Sequence, residues 1–504
     1  MLGTSSCKPN EFVTDQGVAL RFSQDTVYLD TVFSTVGSST RSVRIINPSA
    51  ENISIDRISL GKGADSPFRF NIDGQPGPLV EDVFLPAGDS LWVFVEITAP
   101  AGSTEMLHTD SLVVVNKGEV QSIDLVSLAW DAHFHYPTNV LVIPQPAPYP
   151  DIRIPYSILP AQATWTDDKP HVVYGYAVVD SGATLDVTAG ARIHFHEGSG
   201  LWIASGGNVT MQGASYEDPI VLEGDRLEPF YDDIAGQWGG VLGGIFVQRG
   251  ATLSMTHTLM KNGTMGIRCD SVAEGLPANV LLQNSLFMDF SRATIYSGFG
   301  HVRMQNLVIA NAGLYGLYAL GGRVHADHCT FYNQFPAARS TPTVGLFNRY
   351  DDGTGTYRYR ALNEAYFGNC IIAGGSESEL GFGIGASAAA NYFLEGCLLK
   401  LKINPVPATY DVNDPLQFSG CVFNTDPQFV LPSSRNYALD SASTALGIGV
   451  SGPLSRVPLD ALGATRPSSP DAGRRRERWR SRRCWRSRSS SRAATGRCAD
   501  SRCR

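Results

Sequence analysis

Seven segments of this chain share one internal pattern, and that repetition restricts the possible folds more than any other feature. They align on Thr258, Ser285, Leu307, Cys329, Cys370, Cys397 and Cys421. Two residues later stand Met260, Phe287, Ile309, Phe331, Ile372, Leu399 and Phe423. Three residues before the anchors come Met255, Leu282, Met304, Ala326, Phe367, Leu394 and Phe418, and five before come Leu253, Val280, Val302, Val324, Ala365, Tyr392 and Leu416. All three flanking columns are apolar or aromatic. Steps of two between inward residues belong to strands, and the step of three before the anchor fits a corner. The anchors lie 27, 22, 22, 41, 27 and 24 residues apart. A coil of a parallel β-solenoid takes roughly 20 residues or slightly more and stacks on its neighbour at about 4.8 Å. So 22 is one bare coil, 24 and 27 are a coil with a small loop, and 41 is one coil with a long insertion or two short ones. Asn262, Asp289, Asn311 and Asn333 follow the first four anchors by four residues. They suit turns whose polar side chains bond along the stack.

Composition agrees with an all-β chain. Charged residues are only 17% of the 504, with 51 Gly and 29 Pro, the profile of short strands joined by turns. The charge is divided. Residues 474–504 hold 13 Arg against Glu477 and Asp500, which leaves 27 Lys and Arg against 46 Asp and Glu in the body. An acidic body repels nucleic acid and anionic lipid, so no nucleic-acid partner is expected. No run of 18 apolar residues exists, so no membrane-spanning helix is expected. Residues 17–132 read as a β-sandwich of short strands, including Ser42–Pro48, Ile53–Ile58 and Ser90–Ile97. Residues 133–160, with Pro144, Pro146, Pro148 and Pro150, read as a stiff Pro-rich linker that could also wrap the next domain's open end. The solenoid is assigned to residues 161–473.

Several phrases carry resemblances. Arg44-Ile45-Ile46-Asn47-Pro48-Ser49, then Pro86-Ala87-Gly88-Asp89-Ser90, resembles immunoglobulin-like modules of bacterial surface proteins. Ala177–Phe195, AVVDSGATLDVTAGARIHF, resembles the opening coil of right-handed parallel β-helix (pectin-lyase-like) surface proteins. Asp460-Ala461-Leu462-Gly463-Ala464-Thr465-Arg466-Pro467, with Pro470-Asp471-Ala472-Gly473, resembles that family's closing motif. There the motif ends in an Ala-Tyr-Glu stretch; here it runs into an Arg-rich tail, so residues 474–504 read as a frameshifted or disordered tail. Thr4-Ser5-Ser6-Cys7 resembles the end of a bacterial lipoprotein signal, with residues 1–16 as its remnant and linker and Cys7 as the lipid attachment site. The apolar stretch that should precede it is missing. The resemblances imply an immunoglobulin-like β-sandwich followed by a right-handed parallel β-helix, extracellular or on the bacterial surface as an outer-membrane lipoprotein, monomeric, touching membrane only through its lipid.

No catalytic centre is legible. The column of Cys329, Cys370, Cys397 and Cys421 also accepts Leu307, which marks interior packing rather than metal ligation. His194 and His196 share a strand face, a possible metal pair, but Phe195 between them would then point to the other face and both imidazoles could simply face solvent. Asp270, Asp289 and Asp327 lie at different phases of their coils and should not converge. The candidate ligand-binding residues are Arg226, Glu228, Tyr231, Asp232 and Asp233, in an acidic and aromatic loop that could contact a glycan or Ca²⁺, and Tyr357 and Tyr359, in a Tyr/Arg-alternating excursion that could stack on sugars. No cofactor or metal is otherwise implied. The expected function is a non-catalytic surface protein that presents an extended face to a glycan or protein. The alternative is a secreted polysaccharide lyase or glycoside hydrolase acting on a uronate-containing polymer. Acidic and basic residues converging from three adjacent coils in one exposed groove would favour the enzyme.

Overall fold

The computed structural model describes residues 17–102, 106–270, 276–403 and 409–473. Cys7 and the tail 474–504 lie outside them. The N-terminal part is a β-sandwich of two five-stranded sheets. One contains Arg41–Ile46, Ser90–Ile97 and Phe68–Ile72; the other contains Thr26–Phe33, Glu119–Trp130, Leu107–Asn116, Ile53–Leu60 and Leu79–Leu85. Alternation sets the faces: Leu91, Val93, Val95 and Ile97 are buried between the sheets while Trp92 and Phe94 are exposed. The pairing is antiparallel except where Thr26–Phe33 lies parallel to Glu119–Trp130.

The described residues from His133 to Phe423 wind as a parallel β-helix with three strands per coil. Arg192–Phe195, Gly200–Ile203 and Asn208–Gln212 make one such coil, and Ile220–Gly224 begins the next above the first of them. The strands stack into three long sheets. Sheet A has 11 strands, from His133–His135 to Val422–Phe423. Sheet B has 10, from Asn139–Ile143 to Leu380–Gly383. Sheet C has 10, from Gln162–Trp165 to Phe418–Ser419. The interior columns are in strict register. Val280 pairs with Val302 and Val302 with Val324 in sheet C; Phe287, Ile309, Phe331 and Ile372 follow one another in sheet A. All are buried. Cys329, Cys370 and Cys397 are buried free thiols stacked through the corner, with Cys329 N–H donating to Cys370 Sγ at 3.4 Å and Cys370 N–H to Cys397 Sγ at 3.3 Å. Thr330–Asn333 pairs directly with Ile371–Gly374, so the 41-residue interval is one coil bearing a long insertion.

The corners explain the polar columns. His257, Asn284, Asn306, His328 and Asn369 occupy successive coils with φ between 50° and 54°, and Asn262, Asp289 and Asn311 repeat the left-handed conformation at the next corner. Asn and Asp tolerate that region better than other side-chain-bearing residues. Their side chains also bond along the stack: Asn306 Nδ2 donates to Asn284 Oδ1 at 2.9 Å, and Asn311 Nδ2 to Asp289 Oδ1 at 3.2 Å.

The Pro-rich stretch expected to be a spacer is largely part of the solenoid. His133–His135 adds to sheet A, and the antiparallel pair Asn139–Ile143 and Ile152–Ile158 adds to sheet B. Pro144, Pro146, Pro148 and Pro150 fall in the turn between that pair, where no ladder hydrogen bond is lost. This arrangement closes the N-terminal end of the core with imidazoles. His135 Nε2 and His171 Nδ1 are 3.1 Å apart, and the Trp165 ring lies 4.9 Å from His171. Burial lowers both His135 and His171 to about 4, with neighbouring imidazoles adding to it. A lowered folded-state value means that the neutral form is favoured by folding. Stability is therefore complete above the ordinary histidine value of about 6.5 and falls as pH drops from there toward 4. We predict a loss on the order of 3 kcal/mol across that window, measured by urea unfolding at a pH series. His135→Gln, His171→Gln should flatten the dependence.

The three outer faces differ. Residues 425–473 fold back over sheet A. Phe429 and Tyr437 pack on Leu286, Met288, Val308 and Ala310, while Leu439, Ala445 and Ala472 pack on Ile371, Ala373 and Leu398. The outer face of sheet B carries Trp202, Phe246, Arg268, Tyr296 and Tyr318 on successive coils, with Phe347 stacked on Tyr318 at 4.5 Å. The outer face of sheet C is polar and open to solvent along most of its length.

Candidate functional site

The loop that attracted attention in the sequence joins three parts of the molecule. Arg226 pairs with Glu228 at 2.9 Å, lies 4.1 Å from the Tyr231 ring centroid, and donates to Ser39 Oγ of the sandwich at 3.1 Å. Ser39 in turn hydrogen-bonds Glu228. Burial works to raise the Glu228 carboxyl, but hydrogen bonds from Arg226 and Ser39 outweigh it and hold the group below its usual range. Asp232 pairs with Lys261, whose ammonium also meets Glu223 at 2.7 Å. Asp233 meets Arg435 of the C-terminal strap at 2.7 Å, and Arg435 also pairs with Asp289. All four charged residues of the candidate loop are thus engaged within the protein. Beside the loop, the Phe33 ring meets His194 at 5.0 Å and the Arg192 guanidinium lies 5.5 Å from the Trp130 ring. His194 is completely buried there and does not face solvent; His196 pairs instead with Asp225 at 2.7 Å.

The second candidate is an antiparallel hairpin, Arg349–Asp351 with Tyr357–Tyr359, that leaves the end of a sheet B strand. Tyr357 is 53% exposed, with the Arg349 guanidinium 4.8 Å from its ring. Tyr359 packs against Gly385, where an added Cβ would lie 2.5 Å from its ring. These residues do not meet the Arg226 loop in one site. Asp270, Asp289 and Asp327 stand on sheets B, A and C respectively and do not converge. Among the described residues, no group of three or more His, Cys, Asp and Glu is placed to hold a metal ion.

The constellation missed in the sequence lies on sheet C. One outward row runs Thr184, Asn208, Thr252, Asn279, His301, Arg323, Glu364; the next runs Asp186, Thr210, Ser254, Leu281, Arg303, His325, Tyr366. Apart from Asp186 and the apolar Leu281, the face is neutral and hydrogen-bonding over the early coils, then becomes densely charged. His325 Nδ1 contacts Glu364 at 3.2 Å and its Nε2 contacts Asp327 at 3.2 Å. Arg456 from the short helix Ser451–Arg456 pairs with Asp327 at 2.8 Å and lies 4.8 Å from the Tyr366 ring. Tyr366 donates to Glu395 on the following coil. Burial raises Asp327, but hydrogen bonds from His325 and Arg456 outweigh it and hold the carboxyl below its usual range. Burial, reinforced by the Glu395 bond, pushes the Tyr366 hydroxyl well up. Acid and base groups from adjacent coils therefore do converge, but most of them satisfy one another. The signal was present in the repeat. His301, Arg303, Arg323, His325, Glu364 and Tyr366 sit six and four residues before their anchors, between inward columns, and so share one outer face.

No family model matches the chain, and no curated protein matches it. The solved structures that match parts of it include these two. The ASH/PapD-like domain of human CEP192 (PapD-like domain 7) is 10% identical over 26% of this chain and 99% of that domain, with a TM-score of 0.17. A family 123 glycoside hydrolase from Clostridium perfringens is 7% identical over 22% of this chain and 25% of that enzyme, with a TM-score of 0.16.

Proposed function

We propose that this chain is a non-catalytic cell-surface protein, lipid-anchored through Cys7, that presents the outer face of sheet C to a glycan. The observation that supports this reading is the contrast among the three faces. From the coil of Leu286 to that of Leu398, sheet A is covered by residues 425–473. On sheet B, Tyr296 and Tyr318 stack at 5.0 Å with planes 3° apart, so their ring faces meet each other and not a sugar. Over its early coils sheet C offers rows of Thr, Ser, Asn and Gln at strand spacing, interrupted at Asp186 and Leu281, with successive coils about 4.8 Å apart. An elongated polymer of repeating hydroxyls can lie along such rows. Electrophoresis through gels containing single polysaccharides tests the proposal: retardation by at least one polymer is expected, and unchanged mobility in every gel would refute it.

The second reading is a polysaccharide lyase, and one observation favours it. Burial first, and then the adjacent Arg323, lower the His301 imidazole, which leaves a neutral base beside two guanidinium groups. In β-elimination a base removes the proton next to a uronate carboxylate, the freed electron pair forms a C=C bond, and the glycosidic C–O bond breaks with its oxygen taking a proton. Unsaturated product that disappears in His301→Ala would establish that activity.

A further inference from the structure

Building on the glycan reading, we propose that Arg303 and Arg323, with His301, form a recognition site for the carboxylate of an acidic sugar residue. His301 and Arg323 are cross-strand partners, as are Arg303 and His325. The four therefore make a two-by-two basic patch on adjacent coils. The body around them carries 27 Lys and Arg against 46 Asp and Glu, so the patch runs against the prevailing charge. Both arginines are exposed, and among the described residues neither guanidinium has an ion pair or hydrogen bond. Glu364, the acidic neighbour in the same row, is engaged by His325, and Asp327 is engaged by His325 and Arg456. The fixed carboxylates are thus bonded to His325 and Arg456, while the two guanidinium forks remain available. A guanidinium meets a carboxylate through two parallel hydrogen bonds, which a neutral hydroxyl cannot reproduce. The early coils of sheet C would hold the neutral part of the polymer, and this patch would select the charge.

Polygalacturonate and its fully methyl-esterified form share a backbone and differ in carboxylate charge, so they separate charge recognition from glycan binding. The wild-type protein should bind the acid form at least tenfold more tightly than the ester at low salt, by affinity electrophoresis or calorimetry. Arg303→Gln, Arg323→Gln should erase that preference by weakening binding of the acid form at least tenfold, with the melting temperature unchanged because both side chains are exposed. Equal wild-type affinity for the two forms, or a preference that survives the double substitution, overturns the carboxylate site and leaves the glycan reading standing. Binding to neither form overturns the site; failure with every polysaccharide tested overturns the glycan reading as well.

Discussion

Replacing Phe331 by Asp is expected to leave no soluble folded protein. Phe331 is fully buried, pairs with Ile309 on one coil and Ile372 on the next, and packs its ring 6.0 Å from Phe367. A carboxylate there would be flanked along its column by hydrocarbon on both sides. The lost apolar contact alone costs about 3–5 kcal/mol. The uncompensated buried charge adds several more, and together these approach the whole stability of a typical domain, about 5–15 kcal/mol. Phe331→Leu, which keeps the column apolar, should fold and melt cooperatively. Soluble yield and circular-dichroism melting check both variants, with Phe287→Asp as an independent repeat two coils away. A folded Asp variant with a near-native melting temperature would mean that the column does not face the interior.

The second large effect is expected at Lys261. Its ammonium is almost fully buried on the outer side of sheet A, where it pairs with Glu223 at 2.7 Å and with Asp232. Lys261→Met keeps much of the volume but strands two carboxylates without their cation, which should cost about 3–5 kcal/mol. Neutralising the partners should then restore stability. Lys261→Met, Glu223→Gln, Asp232→Asn is expected to recover most of the loss, because removing a buried charge cluster completely is far milder than breaking it. Urea unfolding measures both. If the triple variant were less stable than the single one, the three groups would not be acting as one electrostatic unit. Asp232 was attractive in the sequence because it sits in an acidic loop. Its partner Lys261 lies on the next coil, 29 residues away, and only the winding of the chain brings them together.

That example shows where sequence reading stops. The interior columns were legible because each inward residue recurs at the coil length with a chemically similar neighbour. The corner asparagines were legible for the same reason. The strap over sheet A was not inferred, although its trace exists: Leu286-Phe287-Met288 and Val308-Ile309-Ala310 are apolar on both strand faces, as parallel strands covered on both sides should be. The Pro-rich stretch reads either as a spacer or as a wrap over the solenoid's open end, and its strands pair because the prolines gather in one turn and leave the flanking residues free. The basic patch of sheet C was hidden because His301, Arg303, Arg323 and His325 are scattered polar residues in a linear reading and form a patch only once the coils are superimposed. The loop at Arg226 misled for the converse reason. Its charges look available in one dimension, and Ser39, Lys261 and Arg435 claim them in three.

Hydroxyl-radical footprinting of the protein, with and without a polysaccharide that retards it, tests the assignment of sheet C as the binding face most directly. The account predicts protection of His301, His325 and Tyr366 on sheet C, with Trp202, Tyr318 and Phe347 on sheet B reacting as in the free protein. Protection of the sheet B aromatics with Tyr366 unchanged would contradict it.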